Sequence, residues 1–153
     1  PERLADLLTP FWGPAGVDRQ AVEGRGRAWL KKAVPLFVER AKTLLELARS
    51  MAFLFAPPKA RDPKAEAQFL DSEHRALTRD AHRVLAEIPD FSAEALEQAI
   101  RRLAAARGKR LVEVAQPIRV ALTGSTISPP LFPVLVLLGR EVVLERLDQV
   151  LEG

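Results

Sequence analysis

His74 and His82 are the first residues to weigh for chemistry in this chain of 153 residues. Eight positions apart in a helical stretch, they stand about two turns from each other, too far to share a metal ion simply. Solvated helix faces account for both. The carboxylates Glu39 and Glu46, and Glu94 and Glu97, fall at helical spacings and read as surface pairing and helix-dipole partners, not as an acid–base couple. With no Cys in the chain, thiol catalysis, disulfides, iron–sulfur clusters and Cys-ligated zinc are excluded. There is no glycine-rich phosphate loop, Gly-x-Ser-x-Gly elbow or His-Glu-x-x-His, and Gly24-Arg25-Gly26 is too short for an RNA-binding Arg-Gly tract. These residues give catalysis no support.

Recognition of an anion has more. Residues 101–119 hold six basic side chains, at 101, 102, 107, 109, 110 and 119, against the single acid Glu113, a net +5 hidden in an overall charge of +3. Residues 140–153 carry the opposite sign, with two basic and four acidic side chains. A concentrated cationic stretch beside a glycine turn has the form of an electrostatic footprint for a phosphate backbone, and a solvated helix face is the equal alternative on charge alone. Of the 23 basic residues 17 are Arg, whose planar fork suits phosphates and base edges better than the Lys ammonium, although GC-rich coding accounts for much of that excess. Directly after the basic stretch come Thr123-Gly124-Ser125-Thr126-Ile127-Ser128-Pro129-Pro130-Leu131-Phe132. Hydroxyls, rigid prolines and an aromatic expected to be exposed are what splayed single-stranded bases use for edge and stacking contacts, and the same segment would serve as a plain helix–helix connection.

The elements that position these groups read as helical nearly throughout, because apolar residues recur at steps of three and four and no run alternates as a half-buried strand does. The pattern predicts a short opening helix from Leu4 to Trp12, then a turn-rich segment around Gly16, Gly24 and Gly26. A helix from Trp29 is interrupted or restarted by Pro35, and one long amphipathic helix runs from Phe37 to Phe55. Pro57-Pro58 and the charged residues 59–64 make a linker. A helix from Ala65 to Ile88 follows, and another begins at the N-cap Ser92 and stops at Gly108. Three more are expected: residues 111–122 despite Pro117, residues 129–139, and residues 141–151. The sum is an all-α chain of seven to nine short helices in two small lobes, residues 1–60 and 61–153. With 48% hydrophobic and 28% charged residues it has the composition of a globular domain, and its longest apolar stretch is too short to span a membrane. No basic, hydrophobic leader is present, and a first residue Pro1 without a preceding Met is what a piece of a longer chain would show.

Three segments carry a resemblance. Gln116-Pro117-Ile118-Arg119-Val120-Ala121-Leu122-Thr123-Gly124, followed by Ser128-Pro129-Pro130-Leu131-Phe132 and Leu138-Gly139-Arg140-Glu141, closely resembles the carboxy-terminal region of bacterial-type glutamyl-tRNA synthetases. Val38-Glu39-Arg40-Ala41-Lys42-Thr43-Leu44 resembles the helix at the start of that family's anticodon-binding region. Asp90-Phe91-Ser92, with the helix after it ending in Gly108-Lys109-Arg110-Leu111, is the third match. They occur in family order and cover most of the chain from Trp29 to Leu147; the first is specific, the other two weaker alone.

The resemblance implies an all-α anticodon-binding domain of the α-helix-cage kind, whose parent ligates glutamate to tRNA with ATP and Mg²⁺ bound in a catalytic half outside these residues. This part would bind the anticodon loop of glutamate tRNA, with no cofactor or catalytic residue of its own, as a cytoplasmic monomer away from membranes. Residue by residue, the likeness makes Arg40 the side chain that reads the third anticodon base, accepting cytosine and rejecting the guanine of glutamine tRNA. A guanidinium only donates, which suits the O2 and N3 acceptors of cytosine and not the donors of guanine. Arg119 corresponds to a contact to the middle base or its phosphate, Arg101 to an anticodon-loop contact, and Leu111 to an apolar contact at the third base. Ser128, Pro129, Leu131 and Phe132 correspond to the loop that packs on the first two bases, where Ser128, Pro130 and Pro133 depart from the family pattern. The alternatives are a non-discriminating parent that also charges glutamine tRNA, and a helical protein-interaction scaffold that binds no RNA.

Overall fold

The computed structural model describes residues 2–152, with the backbone alone for residue 2. Regular structure among the described residues is entirely helical, ten α-helices and three 3-10 helices, gathered into two compact units that divide between Pro57 and Pro58.

The first unit contains α1 (Glu2–Leu7), a 3-10 helix Thr9–Phe11, α2 (Arg19–Arg25), α3 (Arg27–Phe37), a 3-10 helix Val38–Arg40, α4 (Leu44–Met51) and a 3-10 helix Ala52–Leu54. Helix α3 lies at its centre, packed by α1, α2 and α4. It buries Leu30, Ala33, Val34 and Phe37, and Leu8, Trp12, Leu47, Ala48, Met51 and Leu54 are buried in the same unit. Phe55 is gripped edge-on by Trp12 and Trp29, with centroids 5.3 and 5.5 Å away. The turn expected around Gly16, Gly24 and Gly26 holds α2, capped by Asp18, whose carboxylate accepts from Gln20 N–H at 3.0 Å. Periodicity missed it because Val22 is its only buried residue. Gly26, at φ +86°, makes the break between α2 and α3. Pro35 does not interrupt α3; it faces solvent, where the hydrogen bond its ring removes is least costly.

The helix expected to run unbroken from Phe37 to Phe55 is divided. Ala41 is extended, and Thr43 starts α4 afresh: its hydroxyl accepts from Glu46 N–H at 3.1 Å while the Glu46 carboxylate accepts from Lys42 N–H at 2.8 Å. Apolar spacing survives the break because both pieces face one core.

The second unit contains α5 (Pro63–Phe69), α6 (Ser72–Glu87), α7 (Ala93–Ala106), α8 (Leu111–Thr123), α9 (Leu131–Leu138) and α10 (Arg140–Glu152). Helix α8 is the hub, packed by α5, α6, α7 and α10. It buries Val114, Ala115, Pro117, Ile118, Val120, Ala121 and Leu122. The helix expected over residues 65–88 is two, because Asp71 caps α6 by accepting from His74 N–H at 2.9 Å. Ser92 caps α7 as its sequence predicts, accepting from Ala95 N–H at 3.2 Å. At the other end Gly108, at φ +67°, lets Gly108 N–H reach Ala105 O and Lys109 N–H reach Ala104 O, a Schellman closure.

Two long-range contacts close helix ends in this unit. The Arg140 guanidinium donates to the carbonyls of Leu85, Ala86 and Ile88 at 3.2, 2.9 and 2.6 Å, capping α6 from the start of α10, and lies 5.2 Å from the Phe91 ring. After α8, Gly124 turns at φ +82°, and its carbonyl accepts from Asp62 N–H at 2.8 Å. A Cβ there would stand 3.1 Å from Ala60 O and 3.3 Å from Pro58 Cβ, so glycine is required by both conformation and space. Arg61 completes the closure by donating to Ala121 O at 3.0 Å.

Candidate nucleic-acid interface

In the first unit Arg40 is the last residue of the 3-10 helix that follows α3, on an exposed shoulder beside Glu39. The α4 capping pair puts it there. A continuous helix would have carried residue 40 on a helix face, whereas the extended Ala41 after it leaves Arg40 at a corner of the chain.

In the second unit the cationic stretch occupies the outer side of α7, the Gly108 turn and α8. Much of its charge is already engaged. Arg101 pairs with Glu97 at 3.1 Å, Arg107 with Asp80 on α6 at 3.1 Å, and Arg110 stands 3.8 Å from Glu113. Exposed pairs of this kind contribute little to stability and leave part of each guanidinium to other acceptors. Arg102 and Lys109 are exposed and have no ion-pair partner among the described residues. Leu111, half-buried, is the first residue of α8. Beside it lies a cavity of about 260 Å³ lined in part by Glu73, His74, Asp80, Arg107, Lys109 and Glu113. The Glu113 carboxylate accepts from Arg110 N–H at 2.6 Å. That bond, followed by the charges of Arg110 and Lys109, holds its carboxyl below the ordinary range. Asp71 is lowered likewise, first by the His74 N–H and then by the His74 ring, whose Nδ1 lies 2.8 Å from the carboxylate.

Between α8 and α9 the loop is tied down bond by bond. Thr123 Oγ1 donates within the turn and accepts from Ser125 N–H at 3.2 Å, and Ser125 Oγ accepts from Ile127 N–H at 3.0 Å. Arg119 Nη1 donates to Ser128 Oγ at 2.7 Å and to Pro129 O at 3.1 Å, so the guanidinium lies under the loop. Ser128, Pro129, Leu131 and Phe132 are all buried. The aromatic expected at the surface is therefore inside: Phe132 is 7% exposed in the first turn of α9, a helix apolar on every side that buries six of its eight residues. Exposure falls instead on Ile127, at 76%. Its signal in the sequence is a lone β-branched apolar residue among hydroxyls, where nothing local could bury it.

The histidines lie beside carboxylates, His74 Nδ1 2.8 Å from Asp71 Oδ1 and His82 Nε2 2.8 Å from Asp148 Oδ1 on α10. Among the described residues no group of three or more His, Asp or Glu side chains is placed to hold a metal ion, and no helix is long and apolar enough to cross a membrane.

The model of the anticodon binding domain family matches residues 3–151. Glutamate–tRNA ligase 2 of Brucella ovis and glutamate–tRNA ligase 1 of Brucella melitensis are each 47% identical over 133 residues, 86% of this chain. The chain spans 28% of the length of these relatives. Among solved structures, a glutamate tRNA ligase from Elizabethkingia meningosepticum superposes with a TM-score of 0.79 at 22% identity, over 97% of this chain and 29% of that one. The enzyme from Elizabethkingia anophelis gives 0.75 at 21% identity. At such identities the shared property is the fold, which is the all-α fold expected from the periodicity. The chain belongs to the anticodon-binding domain family, and its similarity to these glutamate–tRNA ligases extends through both compact units.

Proposed function

We propose that this chain is the RNA-reading part of a discriminating glutamate–tRNA ligase and binds the anticodon loop of glutamate tRNA. The observation that carries this reading is the family match across residues 3–151 joined to 47% identity with ligases named for glutamate. The exposed Arg40 supports discrimination, since a donor-only side chain at the third anticodon base favours cytosine over guanine. Arg101, Leu111 and the loop around Ser128, Pro129, Leu131 and Phe132, with Arg119 beneath it, make up the rest of the site. The buried members act through backbone atoms and shape, because their side chains face the core.

The parent enzyme would work as a monomer in the cytoplasm. ATP and Mg²⁺ would supply the activation of glutamate there, in the remaining length of the parent, while the residues of this chain hold and select the RNA.

A competition titration of two RNA hairpins, one with a glutamate and one with a glutamine anticodon, at two salt concentrations tests class, site and selectivity together. The glutamate hairpin is expected to bind more tightly, with log affinity falling against log salt at a slope of about −0.7 per phosphate contacted. A flat salt response, or equal binding of an unrelated hairpin, would overturn the reading.

A further inference from the structure

We propose that the loop over residues 124–130 is a pre-ordered platform that sets Ile127 against the face of an unstacked base, with Arg119 as the positioning residue that holds the platform in place. This rests on the RNA reading above and adds to it an apolar contact and a division of labour.

Ile127 is the outlier of the surface. At 76% it is far more exposed than Leu7, Val112 or Val136, which lie between 42% and 47%. Such exposure in a slack loop would mean little, but this loop has no slack. The Ile127 N–H is held by Ser125 Oγ, the Ser125 N–H by Thr123 Oγ1, and the residues after Ile127 by Arg119. Pro129 and Pro130 fix φ immediately beyond. Ile is also stiff at χ1, so little conformational freedom remains for the side chain to lose on contact.

Apolar chemistry defines the ligand. Every nucleobase offers a flat, weakly polar face, so a contact to that face adds affinity without distinguishing anticodons. It neutralises no phosphate and leaves the salt slope unchanged. Arg119 Nη1 donates to Ser128 Oγ and Pro129 O, two acceptors of its own chain, and this makes the side chain a clamp on the loop.

The test titrates fluorescent glutamate- and glutamine-anticodon hairpins with the 153-residue chain across a salt series. Ile127→Ala is expected to weaken both hairpins by about three- to tenfold, the scale of partly exposing an aliphatic side chain that had been covered, with the salt slope and melting temperature unchanged. Ile127→Leu should restore binding. Arg119→Gln should weaken binding at an unchanged salt slope and speed amide exchange at Ser125 and Ile127. Wild-type affinity in Ile127→Ala overturns the Ile127 contact while leaving the RNA reading intact. A salt slope about 0.7 shallower in Arg119→Gln, with amide exchange unaltered, overturns the clamp. A wild-type chain that binds neither hairpin removes the RNA reading, and this proposal with it.

Discussion

Single residues divide into those offered to solvent and those that hold the chain, and only geometry separates the two among the arginines. Arg40 is exposed at a corner, whereas Arg140, within the Leu138-Gly139-Arg140-Glu141 match, spends its guanidinium on three carbonyls at the end of α6. Arg40→Gln is expected to lower discrimination between glutamate and glutamine hairpins by about 1–3 kcal/mol, the worth of a good base contact in duplex readout. Unchanged selectivity in the paired titration would take Arg40 out of the site. Arg140→Ala should behave in the opposite manner. Losing a charged donor from three helix-end acceptors is expected to cost about 2 kcal/mol in urea unfolding, while hairpin affinity at low temperature stays at the wild-type value.

Helix ends decide the elements, and most of them are set by short side chains accepting backbone N–H groups. Thr43→Ala removes the hydroxyl that restarts the helix at α4 and should cost about 1 kcal/mol by urea unfolding. Because that cap also makes the corner at Arg40, selectivity is expected to fall with it. Gly124→Ala meets both a positive φ and the Ala60 carbonyl, so about 2–3 kcal/mol is expected, read as a lower melting temperature. Two caps titrate. The carboxyls of Asp71 and Glu113 are held below their ordinary values, so their stabilisation is fully present above the unfolded values and is lost as pH falls through the lowered folded ones. Urea midpoints should therefore drop below about pH 4. Asp71→Asn, which keeps an N-cap acceptor but cannot ionise, should make that drop shallower.

At the scale of the whole molecule, each unit has its own buried centre: α3 with the Trp12–Phe55–Trp29 cluster in the first, α8 in the second. Residues 58–153 made alone should keep their helical circular dichroism and unfold in one cooperative transition. A non-cooperative melt would show that this unit needs the other fifty-seven residues to fold. The small net charge of +3 takes its meaning at this scale as well, since the net +5 stretch runs along α7, the Gly108 turn and α8, with Arg119 under the loop, while α10 is acidic.

Helical class, the Ser92 start, the Gly108 stop and the family likeness of residues 116–124 were all determined by the sequence alone, since caps, C′ glycines and apolar spacing act over a few neighbouring residues. The breaks at Ala41 and Asp71 were also local, but the apolar spacing on either side concealed them, because separate helices facing one core keep a common rhythm. Only the tertiary structure decided that Phe132 is buried and Ile127 exposed, that Arg119 clasps a loop, and that Arg140 closes a helix 52 to 55 residues earlier in the chain. Burial and long-range hydrogen bonding depend on which surfaces meet, and periodicity along a chain records only that a residue has an inward face, not what lies against it.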